Sequence, residues 1–320
     1  MTTRNEIEKE IDEAKDPSTS PDRLAELAKH ENKDICMAVA SNPSTSSDTL
    51  TMLAESNDTW VRRWAASNKS TPSSVLTKLA HDRDASVRCS AAKNPGTPPS
   101  TLVQLTKDKD CNIRIVAGSS PLIPLNTLIE LAQSEDEALR KAAAHNSQTP
   151  PDIFAILATD KSRSVRQAVA SNQKCPPDVL TVLARDDDEC IRRSVADNPS
   201  TPPELLTCLA NDEKIYIRCF VAENQRTTPA TLVSLAIDVP RSVAENPSTP
   251  PTFLSTLAKA EDVVVRRLVA SNPSTLPETL ADLVLDDDPR VREAAVENPS
   301  TLSNTFEHDM VMISSARKVN

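Results

Sequence analysis

Two glycines in 320 residues leave no material for a glycine-rich phosphate loop, which excludes nucleotide binding of that kind. Aromatic residues are 2% of the chain, so any interior must be built from Leu, Val, Ile and Ala. Histidine is equally scarce: His30, His81, His145 and His308 fall at different places in the pattern described below and do not converge on a metal or a nucleophile. No apolar run approaches the length of a membrane span, and Met1–Glu13 is polar with no hydrophobic signal core. There is no Cys-x-x-Cys pair. The seven cysteines (36, 89, 111, 175, 190, 208 and 219) are odd in number and scattered, which fits reduced thiols and a cytoplasmic location better than a disulfide framework. Cations are outnumbered, 36 Lys and Arg against 46 Asp and Glu. The resulting net charge of −10 favours solubility and works against nonspecific attraction to DNA, RNA or anionic lipid.

What the chain does have is a period. Asn-Pro-Ser-Thr, or a close relative of it, begins at Asp16, Asn42, Asn68, Asn94, Ser120, Asn146, Asn172, Asn198, Asn224, Asn246, Asn272 and Asn298. Every step is 26 residues except one of 22, between Asn224 and Asn246. A fixed period in this range means a stacked solenoid rather than a globular core. Proline occurs 25 times, mainly at the repeat junctions, where it punctuates short elements.

Counting the opening Asn as position 0, position 3 is usually Thr, as in Thr45, Thr71 and Thr97, followed by one or two prolines. This predicts a Thr N-cap and a Pro in the first turn of a short helix. Leu, Leu and Ala at positions 8, 11 and 12, as in Leu206, Leu209 and Ala210, share one helical face. Asp at positions 14 and 16 marks a turn and a second N-cap. Val, Ile or Leu at position 19 and Val or Ala at position 23 form the buried face of a second helix, and Ala at position 24 is expected where stacked backbones come close. Asn before Pro ends that helix, and its side chain is suited to backbone groups left open at the junction. Each repeat reads as helix, turn, helix.

The string Asn-Pro-Ser-Thr-Pro-Pro-x-x-Leu-x-x-Leu-Ala, then Asp and a β-branched residue followed by Arg-x-x-Val-Ala, is best seen from Asn198 to Ala222. It resembles the leucine-rich repeat variant family, and the resemblance covers about residues 16–308. It implies an all-α, right-handed superhelical solenoid akin to HEAT repeats, with about eleven repeats in which α-helices alternate with 3₁₀-helices. A founding member of the family carries a cysteine-ligated iron–sulfur module before its repeats. No cysteine precedes Cys36 here, so that cofactor is not carried over and none is expected.

Position 20 is Arg in nine repeats: Arg62, Arg88, Arg114, Arg140, Arg166, Arg192, Arg218, Arg266 and Arg292. Stacking would align them into a ladder. Pairing with the Asp-rich turns accounts for it more simply than a cationic stripe for phosphate. Departures from the pattern say more. The ninth repeat lacks four residues, about one turn of its second helix, and has Pro240 where Arg is due. Cys36 replaces the Arg of repeat 1, and Ser120 and Ile123 replace the Asn and Thr of repeat 5. Trp60 and Trp64 occupy positions 18 and 22 of repeat 2, and Tyr216 and Phe220 the same positions of repeat 8. Position 18 is otherwise mostly polar or small, which suggests exposure; position 22 is mixed and reads as half-buried. These aromatics are candidate interface anchors, set against the plainer reading that they fill gaps between helices. The doubled arginines Arg62–Arg63, Arg192–Arg193 and Arg266–Arg267 place their second member on a solvated face.

The expected organisation is a capping helix at 1–15, with Ile7, Ile11 and Ala14 on one side, a solenoid of one domain at 16–297, and a partial repeat with a tail at 298–320, where Phe306 starts another first helix. The expected function is non-catalytic: a scaffold binding a protein partner through Trp60, Arg62, Arg63, Trp64, Tyr216 and Phe220. A nucleic-acid solenoid using the Arg ladder is less favoured, and a DNA-glycosylase-type enzyme, which HEAT-like folds include, comes third. No membrane association is expected.

Overall fold

The computed structural model describes residues 4–301 of the chain. Phe306, His308 and the tail expected beyond them lie outside the described residues. Those described form 23 α-helices and no strand, an all-α solenoid of stacked helix–turn–helix repeats. The helices group into two units, Met1–Ala168 and Val169–Asn320, each built on the same plan.

The leading helix, Arg4–Lys15, turns Ala14 fully inward with Ile7 and Ile11 half-buried beside it. After it, helices mostly of seven residues alternate with helices mostly of nine, as in Ala85–Lys93 followed by Pro99–Leu105. Both are α. The short helices close i→i−4 bonds, such as Leu76 N–H to Pro72 C=O and Ala80 N–H to Leu76 C=O at 2.9 Å each, so the 3₁₀ alternation implied by the resemblance is not what these residues adopt. Two leucines bury on most short helices, Leu102 and Leu105 for example, with Phe154 in place of the first in Pro151–Leu157; Val or Ile buries with Ala on most longer ones, and Ala alone in Glu137–His145.

The recurring Thr does not cap the helix that follows it. The residue after it, often Pro, is the N-cap, as Pro72 and Pro98 show. The Thr hydroxyl instead reaches back six residues: Thr45 donates to Val39 C=O at 2.6 Å, and Thr71 to Ala65 C=O at 2.5 Å. Those carbonyls are among the four a helix leaves unsatisfied at its C-terminus, so the hydroxyl closes the preceding helix. The Asp at position 16 does act as an N-cap; Asp84 accepts the Ser86 N–H and Asp110 the Asn112 N–H, both at 2.8 Å.

The Asn at position 0 ties repeats together. Asn94 Nδ2 donates to Ala66 C=O at the end of repeat 2 and to Asn68 C=O at the start of repeat 3, both 2.8 Å away, while its Oδ1 accepts the Gly96 N–H. Asn224 and Asn272 do the same in the second unit. Ser120 is too short to repeat this reach.

Position 24 is Gly118 in repeat 4, where its neighbours have Ala. A Cβ there would lie 2.7 Å from Ala142 Cβ and 2.9 Å from Leu131 Cδ1. Neither a methyl group nor a helix backbone can rotate away, so Gly118→Ala should cost about 1–3 kcal/mol through overpacking. The paired change Gly118→Ala with Ala142→Gly should recover much of that loss. Urea denaturation of the two variants checks it, and a single variant as stable as the parent would refute the clash.

Candidate functional site

The longer helix of repeat 2, Thr59–Ser67, starts at Asp58, whose carboxylate accepts the N–H groups of Trp60 and Val61. Val61, Ala65 and Ala66 face inward, which fixes the opposite side of the helix outward. Trp60 is 52% exposed there and Trp64, one turn on, 44%. Rings of this size rarely stay so open without a use, since each leaves a large apolar area in water. Arg63 lies between them in sequence and stacks on Trp60, its guanidinium carbon 5.0 Å from the ring centroid.

Arg62 points the other way and is buried. Its Nε and Nη2 grip both oxygens of Asp82, in the next repeat, at 2.7 and 3.0 Å, while Nη1 donates to Ser56 C=O and Asn57 C=O. Arg88–Asp108, Arg140–Asp160, Arg192–Asp212 and Arg266–Asp286 form the same two-pronged rung. The ladder is an internal clamp from position 20 to position 14 of the following repeat, and its guanidinium donors are already engaged. Arg62 therefore supports the tryptophan helix from behind.

Among the described residues two rungs are imperfect. Ser134 stands where Arg114 should find a carboxylate, and Arg114 turns instead toward Asp136, with Nε 2.7 Å from Oδ2 but misaligned for a hydrogen bond. In the short repeat the second helix shrinks to Pro240–Glu245, and Arg218 approaches the half-exposed Asp238 at 3.2 Å with the same misalignment.

The repeat 8 pair is held more tightly. Tyr216 and Phe220 are both half-buried on the helix Ile215–Glu223. Burial first, then a hydrogen bond with Glu189, pushes the Tyr216 hydroxyl up to about 12. Arg193 of the preceding repeat stacks on Phe220 with its guanidinium carbon 5.7 Å from the ring centroid. A groove of about 390 Å³ beside Phe220 is edged by Asp197, Glu223 and Arg226. The equal standing of the two pairs in the sequence thus divides: the tryptophans project, while Tyr216 and Phe220 are half-buried and Arg193 stacks on Phe220. That stacking joins position 21 to position 22 of the next repeat, a register that only the stacked helices reveal. Arg63 and Arg193 are half-buried against rings, whereas Arg267 is exposed as its position suggested.

The other reactive groups are quiet. All seven cysteines are free, and burial pushes Cys175 up to about 12, away from thiolate chemistry. No group of three His, Cys, Asp or Glu side chains among the described residues is placed to hold a metal ion. No helix among them is long and apolar enough to cross a membrane.

Residues 9–69 match a family model described as the Leucine Rich Repeat Variant domain, a segment that includes the tryptophan pair. The resemblance read from the sequence is borne out there. Among solved structures, the chain is similar to a leucine-rich repeat variant at 26% identity over 68% of this chain and 88% of that one, with a TM-score of 0.49. It is similar to an engineered protein at 17% identity over 90% of this chain and 97% of the other, with a TM-score of 0.30. None of the curated proteins matches.

Proposed function

We propose that this chain is a non-catalytic repeat scaffold that binds a protein partner on the outer face of its second helices. Trp60 and Trp64 are the main anchors, Arg63 shapes their surroundings, and Tyr216 and Phe220 form a braced secondary contact in the other unit. Arg62 holds the tryptophan helix in place through Asp82. The observation that carries this reading is the exposure of the chain's two tryptophans, 52% and 44%, on one helical face of a scaffold otherwise poor in aromatics. Large aromatic side chains of this kind supply most of the energy at protein interfaces.

Nucleic acid is the weaker alternative, because the ladder that would have met phosphate spends its donors on aspartate and backbone carbonyls. Catalysis has no nucleophile, base and donor set brought together among the described residues. Full-length protein immobilised and exposed to its native extract should retain a partner that the Trp60→Ala, Trp64→Ala variant loses, with far-UV circular dichroism unchanged. Truncating a central aromatic anchor costs about 2 kcal/mol or more of binding. Equal recovery by the parent and this variant would end the proposal.

A further inference from the structure

The surroundings of the tryptophans specify more than an apolar contact. Across the stack, position 17 of one repeat meets position 18 of the next, as Glu137 meets Ser164. Position 21 likewise meets position 22, as Arg193 meets Phe220. The same register puts the exposed Lys33 beside Trp60 and the half-buried Met37 beside Trp64. One repeat further on, Lys93 projects from the last turn of its helix and is exposed.

On the outward positions of the second helices of repeats 1 to 3, the charged residues are Lys33, Arg63 and Lys93 against Asp34 alone. Asp34 sits in the first turn of its helix, where the macrodipole already balances a negative charge. None of the three cations forms a salt bridge among the described residues, although much of the chain's other basic charge is paired. In repeats 7 to 9 the corresponding positions carry Glu189, Asp197, Glu223 and Glu245 against Arg193 and Arg241. A chain of net charge −10 thus keeps cations without a salt bridge on the same outward run of helices that carries its two exposed tryptophans.

We infer that the Trp60–Trp64 face takes a short acidic segment of a protein that also offers an apolar side chain, the carboxylates meeting Lys33, Arg63 and Lys93 while the apolar group lies on the indoles. The inference rests on the reading of the tryptophan pair as an interface. A peptide fits better than a nucleic acid, because Met37 adds apolar surface and three cations are too few to track a phosphate backbone against the chain's overall negative charge.

Because Trp60 and Trp64 are the chain's two tryptophans, its indole emission reads this face alone. The full chain should be titrated with a short Trp-free peptide of Glu, Asp and Leu, with its Gln/Asn counterpart, with its Lys counterpart, and with an oligothymidylate. The acidic peptide should shift the emission to the blue and saturate, with affinity falling as salt rises. Arg63→Glu should weaken it about tenfold or more, and Trp60→Ala, with Trp64 still reporting, about thirtyfold. Equal binding of the Gln/Asn peptide would overturn the acidic class, as would tighter binding of the oligothymidylate. No response to any probe, with partner capture still dependent on the tryptophans, would overturn this inference and leave the protein-binding proposal standing. Loss of that dependence in the capture experiment is what would remove the proposal itself.

Discussion

Asp108→Ala should destabilise the first unit by about 3–5 kcal/mol, whereas replacing both partners, Arg88→Met with Asp108→Leu, should cost far less. The asymmetry follows from the geometry of one rung. Arg88 is 6% exposed. Its Nε and Nη2 meet Asp108 at 2.7 and 3.0 Å, and Nη1 meets Asp82 C=O at 2.9 Å and Arg83 C=O at 3.3 Å. Asp108 also accepts the Asp110 N–H, so it fixes the turn before the next helix. Removing the carboxylate strands a guanidinium that cannot reach water and frees the turn together. Removing both charges leaves an apolar contact between helices that already pack through Val and Ala. Denaturant titration, with hydrogen exchange at the helices Ala85–Lys93 and Cys111–Gly118, separates local opening from global unfolding. Asp136→Ala offers the internal contrast: its bond to Arg114 is misaligned and more exposed, so its loss should cost less. If the Asp108 variant lost less than about 1 kcal/mol, the ladder would be ornament rather than clamp.

Much of this clamp can be read from the sequence, and the reason is repetition. A residue returning every 26 positions must serve the stack, so Asn42 and its successors, Ala at position 24 and Arg at position 20 declare themselves structural. What repetition does not reveal is direction. Thr71 stands just before a helix, where propensity alone makes it an N-cap; the structure sends its hydroxyl back to Ala65 because Pro72 already occupies the capping place. The Arg–Asp pairing was expected by type, yet the step of twenty residues into the next repeat depends on how the helices stack. The aromatic pairs show the same limit. Position 18 suggested exposure, which holds for Trp60, while Tyr216 at that position is half-buried. Trp64, expected to be half-buried, is nearly as open as Trp60.

The ladder also sets how the protein should respond to acid. Asp82, Asp108, Asp160, Asp212 and Asp286 are each at most 9% exposed and each paired to an arginine. For Asp82, Asp160 and Asp212 burial is the largest influence and works to raise the carboxyl, but the arginine hydrogen bond and a backbone N–H together outweigh it. For Asp108 and Asp286 the arginine hydrogen bond is itself the largest influence. All five are held below the ordinary 3.8. A carboxylate with a lowered folded pKa binds fewer protons folded than unfolded, so its stabilisation is complete above the unfolded value and is lost as pH falls through the folded one. Each unit of lowering is worth about 1.4 kcal/mol at neutral pH. The prediction is that the ladder's contribution stays level from pH 7 to about 5 and then falls steeply below about 4, as successive rungs protonate and leave their arginines buried without counter-charge. The combined loss should exceed that of any single substitution. Thermal melts followed by circular dichroism across pH 7 to 2 measure it, and the Arg88→Met, Asp108→Leu variant should show a shallower fall because one titrating rung is gone. A decline confined to pH 7 to 5, with none below about 4, would point instead to His145, whose burial holds its imidazole below the ordinary 6.5 so that the unfolded chain takes up the proton first, and would contradict the aspartate ladder as the source of acid sensitivity.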